Sequence, residues 1–330
     1  MKSHRFAASE SNRSIFQFVE RCYSWRCWIR ERSQVVRCAF LAHPDLFLPL
    51  FRCSRKLSVV MDHLLTMNEL SIFTTGDGCR MAYRFDGPAD RPVLVLSNSI
   101  GTTLNMWDIQ VQDLSKHFRI LRYDTRGHGG SDAPAGAYSI ARLGRDVIEL
   151  LDALNIGRVH FCGLSLGGMV GQWLGIHTPD RIDRLILCNT SSFLGPTEQW
   201  DGRIASVLEA EDMSETAEMF LGYWFPLRML EPESPVVWTF RAMLLATDRQ
   251  GLAGCYAAVR DMDMRRTVAL IRSPTMVIAG QFDTVTLPSH SELIAATVSG
   301  SRSVILPAVH LSNIECPAAF MSAVLEFLLS

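Results

Sequence analysis

The pentapeptide Gly163-Leu164-Ser165-Leu166-Gly167 constrains this chain more than any other stretch. Val159-His160-Phe161-Cys162 before it is short and β-prone, and Gly168 to Leu174 after it read as the first turns of a helix. A strand that reverses at once into a helix holds the residue at the bend in strained backbone geometry and pushes its side chain into the open. Glycines flank the bend because a Cβ there would collide with the neighbouring strand and helix. A glycine-bearing turn in a Rossmann-like unit shares the five-residue pattern, so the rest of the chain must decide between the two.

Strand and helix patterns alternate from Leu70 onward. Leu70–Thr75 and Arg80–Phe85 flank Gly76-Asp77-Gly78, which predicts a hairpin with an Asp-Gly turn. Pro92–Leu96, Phe118–Tyr123, Val159–Cys162 and Arg184–Cys188 read as buried strands. Ser139 can cap a helix whose apolar residues Ile140, Leu143, Val147, Leu150, Leu151 and Leu154 fall at helical spacing. The rhythm breaks over 195–266, a stretch rich in Met, Trp and other aromatics with helical periodicity and no clear strand. It resumes with a strand at Thr275–Ala279, a helix at Pro288–Val298, a strand at Ser303–Leu306 and a helix at Pro317–Leu329. This is the pattern of an α/β fold, a mostly parallel central sheet flanked by helices. The expected organisation is a core over 67–194 and 267–330, with 195–266 a helical lid inserted between core strands.

Residues 1–66 follow different rules. They carry eleven Lys or Arg against five Asp or Glu, although the whole chain has a net charge near −2. They also hold Cys22, Cys27, Cys38 and Cys53 without C-x-x-C or zinc-type spacing. They are expected to be an extension, poorly ordered or not native to the core, with no part in the chemistry. No apolar run reaches the 18 or so residues that span a bilayer, and no balance of charge points to nucleic acid. With nine cysteines, and Cys162 and Cys188 placed inside strands, free thiols in a reducing, cytoplasmic setting are expected. Homo-oligomerisation is left open.

A serine hydroxyl needs a base, and the base needs an orienting acid. On a strand–elbow–helix scaffold these follow in the order serine, acid, histidine. Asp283 comes just after the strand Thr275–Ala279, and His310 just after the strand Ser303–Leu306. His290, the other histidine beyond Asp283, falls within a helix and is expected to be solvated or to act as a cap. Acyl transfer also needs donors for the developing oxyanion. The backbone N–H of Leu166 is one candidate, and the N–H of Ile100, in the loop Ser97-Asn98-Ser99-Ile100-Gly101-Thr102, is the other. Asn98 and Ser99 are candidate substrate contacts that otherwise stabilise the loop, and Trp224 is a candidate contact from the lid. Arg126-Gly127-His128-Gly129 lacks the Lys-Ser/Thr ending of a phosphate loop and is read as a buttress for the elbow.

These residues resemble the α/β-hydrolase fold family from about Met67 to Ser330. More narrowly, Leu96 to Gly101 with Met106-Trp107-Asp108, Arg122 to Gly129, and Gly163 to Gly168 resemble the 3-oxoadipate enol-lactonases of aromatic-acid catabolism. The elbow and Arg-Gly-His-Gly are shared widely, whereas the Ser-Asn-Ser-Ile-Gly loop with Met-Trp-Asp is more selective. The resemblance implies a serine hydrolase, with Ser165, His310 and Asp283 in the triad roles, that opens the enol-lactone to 3-oxoadipate without metal or organic cofactor. Its partner would be a small lactone bearing a carboxylate, whose binding residue the sequence does not identify; Arg228, Arg241 and Arg260 are open candidates. Three rivals share these features: a general carboxylesterase or perhydrolase, a carbon–carbon bond hydrolase of ring-fission products, and a catalytically inactive small-molecule receptor.

Overall fold

The computed structural model describes residues 70–231 and 234–330. The expectation for 1–66 falls outside the described residues. Eight strands form one sheet: β1 (Ser71–Thr74), β2 (Arg80–Asp86), β3 (Val93–Ser97), β4 (Arg119–Tyr123), β5 (Val159–Leu164), β6 (Ile182–Cys188), β7 (Thr275–Gly280) and β8 (Arg302–Leu306), in the order β1-β2-β4-β3-β5-β6-β7-β8. β1 and β2 pair antiparallel across the Asp-Gly turn, where Gly78 takes a φ of 86° that a side chain would disfavour. β2 also pairs antiparallel with β4. From β4 to β8 every pairing is parallel. All six strands from β3 to β8 therefore end at the same edge of the sheet, and the loops that follow them meet there.

The central strands are long apolar runs because both faces are covered. Every residue of β5 and β7 is buried. Among the covering helices are α1 (Asp108–Leu114), α2 (Ile140–Ala153) and α3 (Leu166–His177). α2 starts where the Ser139 side chain accepts the Arg142 N–H, and it buries the stripe Ile140, Leu143, Val147, Leu150 and Leu151. α3 runs straight on from β5 and is buried almost all round, which suits its glycine-rich, uncharged sequence.

Between β6 and β7 lie α4 (Glu198–Glu209), α5 (Ser214–Trp224), α6 (Pro235–Leu245) and α7 (Arg249–Arg260). Met264 N–H donates to Ser192 O at 2.8 Å, and Phe193 bridges Asp263, so the two ends of this segment are held side by side. Its interior is aromatic: Trp224 packs edge-on against Phe240, and Phe220 stacks on Tyr256. α8 (Pro288–Thr297), the short α9 (Ser312–Glu315) and α10 (Pro317–Leu329) complete the fold. Of these elements, α1 and α9 carry no counterpart in the sequence reading. They are one or two turns long, too short for an apolar period to register.

Candidate active site

Ser165 is the residue between β5 and α3. Its backbone sits at φ 57° and ψ −115°, a conformation unfavourable for any residue with a Cβ. Packing imposes it. A Cβ on Gly163 would come within 2.1 Å of Gly167 O, and one on Gly167 within 2.3 Å of Ser97 O. The elbow is tied on both sides, since Ser165 N–H donates to Cys188 O at 2.9 Å and Thr190 Oγ1 donates to Ser165 O at 2.8 Å.

Asp283 and His310 follow β7 and β8 at the same edge. Nδ1 of His310 lies 2.9 Å from Oδ2 of Asp283, with both side chains almost wholly buried. Asp283 is held from every direction: Asn189 Nδ2 and Thr286 Oγ1 donate to Oδ2 at 3.0 and 2.7 Å, and the Val285 and Thr286 N–H groups donate to Oδ1 at 2.8 and 3.0 Å. Burial opposes ionisation of this carboxyl. The adjoining His310 imidazole and the hydrogen bonds from His310, Asn189 and Thr286 outweigh it, and hold the pKa below the ordinary 3.8. An ionised Asp283 can only accept, so Nδ1 of His310 carries the hydrogen that joins them, and in the neutral tautomer this selects Nε2 holds the lone pair.

Ser165 and His310 line one cavity. No hydrogen bond joins the Ser165 hydroxyl to the imidazole among those of the described residues. Such contacts often tighten only when substrate fills the site. Ile100 and Leu166 line the same cavity. Among the described residues no acceptor takes either backbone N–H, whereas the neighbouring Gly101 and Gly167 amides are both satisfied. A buried amide with nothing to donate to is a place where a developing negative charge is stabilised.

The loop that carries Ile100 is fixed from behind by the residues that made its motif selective. Asn98 donates to Tyr123 O at 2.8 Å and accepts from Trp107 Nε1 at 3.0 Å. Ser99 N–H meets Met106 Sδ at 3.2 Å, and Arg122 bridges Asp86 and Asp108. His128 Nε2 accepts the Gly101 N–H at 2.8 Å, while its Nδ1 lies 3.2 Å from Arg126 O. Burial lowers the His128 pKa to about 4, so the ring is neutral and able to accept. Arg126 pairs with Asp146 and Asp77. The Arg-Gly-His-Gly stretch thus supports the Ile100 loop rather than the elbow itself.

The candidate substrate contacts divide. Trp224 is in the cavity wall. Asn98 is not; its amide is spent on Tyr123 and Trp107, so its role is to hold the loop. Ser99 is also absent from the cavity, and its Oγ is buried without a partner. His290 is half-buried rather than solvated, with Nδ1 sealed and unpaired, and burial lowers its pKa. Arg228, Arg241 and Arg260 lie off the cavity, paired with Glu315, Glu218, and Asp201 with Asp261 respectively. The charged residue that does line it, Arg203, was missed. Arg203 has no acid three or four residues away on its helix, but neither has Arg241, so that signal alone does not select it.

Fold and site together define a class: the chain belongs to the α/β-hydrolase fold family, whose sequence profile matches residues 92–317, and the protein is a hydrolase. Among relatives, it is 37% identical over 250 residues to 3-oxoadipate enol-lactonase 2 of Acinetobacter baylyi, covering 76% of this chain and 93% of that one. A solved hydrolase from Pseudomonas aeruginosa PA01 shares 63% identity with a TM-score of 0.79, over 80% of this chain and 99% of that one. The solved enol-lactonase from Burkholderia xenovorans LB400 shares 41% identity with a TM-score of 0.76, over 79% of this chain and 100% of that one. No helix among the described residues is long and apolar enough to cross a membrane.

Proposed function

We propose that the protein opens the ester bond of 3-oxoadipate enol-lactone by acyl transfer through Ser165. The observation that carries this reading is the gathering of Ser165, the Asp283-backed His310 and two unengaged amides around one cavity. Its similarity to named enol-lactonases supports the choice of ester.

Nε2 of His310 takes the Ser165 proton as Oγ attacks the lactone carbonyl carbon. The carbonyl oxygen becomes an oxyanion held by the Ile100 and Leu166 N–H groups. Asp283 stabilises the imidazolium that forms and keeps it in the right tautomer. The ring C–O bond breaks, and His310 returns its proton to the departing enolate oxygen. The enol stays attached to the acyl chain because the substrate is cyclic. Its conversion to the ketone removes the nucleophile that would close the ring again. Water, deprotonated by His310, then attacks the acyl-enzyme and releases the free acid and Ser165.

The test is a comparison of kcat/KM for the enol-lactone and for p-nitrophenyl acetate on purified protein. The lactone should be opened at least a hundredfold more efficiently. Equal or better turnover of the simple ester would replace this reading with that of a general carboxylesterase. Failure of a fluorophosphonate to label Ser165 would reject both.

A further inference from the structure

Among the described residues the cavity is walled by apolar and aromatic side chains with one permanent charge, Arg203 on α4. A guanidinium facing such a wall ordinarily has a carboxylate partner, because unpaired charge beside low-dielectric surface is costly. Among the described residues Arg203 takes part in no ion pair and no hydrogen bond; its guanidinium carbon lies 4.9 Å from the centre of the Trp200 ring. A second group in the same wall is also unspent. Tyr256 on α7 is 2% exposed, and its buried hydroxyl has no hydrogen-bond partner among the described residues. The Trp200 ring links the two, its centre lying 5.6 Å from that of Tyr256 on one side and beside the Arg203 guanidinium on the other. A cation and an orphaned donor share an otherwise greasy cavity with Ser165, which is the composition of a receptor for an anionic group.

We propose that Arg203 and Tyr256 bind a carboxylate carried by the acyl part of the substrate, making the enzyme selective for ω-carboxylated esters and lactones. The inference rests on Ser165 acting as the nucleophile, as proposed above, but not on the identity of the lactone. Arg203 would take the carboxylate through its fork of N–H donors, and Tyr256 would donate one further hydrogen bond. Both residues sit in the helical segment, so they position the acyl chain and take no part in bond making.

The experiment compares mono-p-nitrophenyl glutarate with p-nitrophenyl valerate, two esters that differ in a terminal carboxylate or methyl, in wild type, Arg203→Met and Tyr256→Phe. Wild type should prefer the glutarate in kcat/KM. Arg203→Met should cut glutarate kcat/KM about 100-fold, mostly through KM, and leave the valerate within about twofold, as expected for loss of charge-assisted bonds. Tyr256→Phe should cost the glutarate about tenfold, and Arg203→Lys should restore part of the loss. Absence of a wild-type preference for the glutarate, or a parallel loss on both esters in Arg203→Met, overturns the proposal. Carboxylate preference that depends on Arg203, in an enzyme inert toward the enol-lactone, would sustain this inference and reject the lactone assignment. Lactone turnover indifferent to Arg203 would do the reverse.

Discussion

The sheet edge and the four-helix segment above it meet at one cavity and contribute opposite kinds of surface. The edge supplies polar groups already committed to one another: Asp283 is fixed by five hydrogen bonds, and the Ile100 loop by Asn98, Trp107 and His128. The helical segment supplies aromatic walls with two uncommitted polar groups, Arg203 and the Tyr256 hydroxyl. Committed groups suit chemistry that must happen at fixed geometry. Uncommitted ones suit recognition, since a ligand completes them. On the function proposed above, reaction type would reside in the edge and choice of substrate in the helices.

That division is open to direct attack. Ser165→Ala should lower kcat by about 10⁴- to 10⁶-fold with an unchanged circular dichroism spectrum; appreciable residual turnover would place the chemistry elsewhere. Asp283→Asn should cost about 10⁴-fold by presenting the wrong imidazole tautomer. Asp261 and Asp263 cannot stand in, being surface residues paired with Arg260 and Arg265. His128→Ala removes the acceptor that holds the Gly101 amide, and should reduce kcat by about 10²-fold with little change in KM, since the adjacent Ile100 donor loses its aim. Trp224→Phe, a change in the helical wall, should shift relative kcat/KM between acyl chains by less than about tenfold and leave the fluorophosphonate labelling rate untouched. A Trp224 variant as damaging as the His128 variant would erase the distinction between the two regions.

The smallest expected effect is on stability. His128 titrates near 4 when folded against an ordinary 6.5. A depressed histidine pKa means the unfolded chain binds the extra proton first, so stability is complete above about pH 6.5 and declines as pH falls towards 4. Asp283 adds a further loss below that range, because its pKa is also depressed. Urea midpoints between pH 7 and pH 4 should fall for wild type and fall less steeply for His128→Asn, which presents no imidazole. Equal slopes would show that His160 and His290, also lowered by burial, carry the effect.

How much could be read without coordinates follows the same boundary. Ser165, Asp283 and His310 announce themselves because each follows a strand at a set distance, and strands advertise themselves by apolar runs. Every predicted core strand is present within two residues of its expected ends. Whether Asn98 meets substrate or stabilises its loop is open in the sequence, because a polar loop residue gives no sign of its partner; Trp107 and Tyr123 lie nine and 25 residues on, and only folding brings them to it. Arg203, and any role for Tyr256 beyond that of one lid aromatic among several, give no signal in the sequence for a related reason. Their distinction is a partner they lack, and want of a partner leaves no mark on periodicity or composition.

Gly127, in the Arg-Gly-His-Gly loop, and Gly251, at the start of α7, press backbone to backbone: a Cβ added to either would lie 2.3 Å from the other's Cα. The roof of the cavity is thereby welded to its floor at the α7 end, with no side chain between them to act as a bearing. Elsewhere Leu194, Trp200, Arg203, Tyr223 and Val285 line both the cavity and a neighbouring groove. An acid that approached the serine through that groove would pass Arg203 on its way.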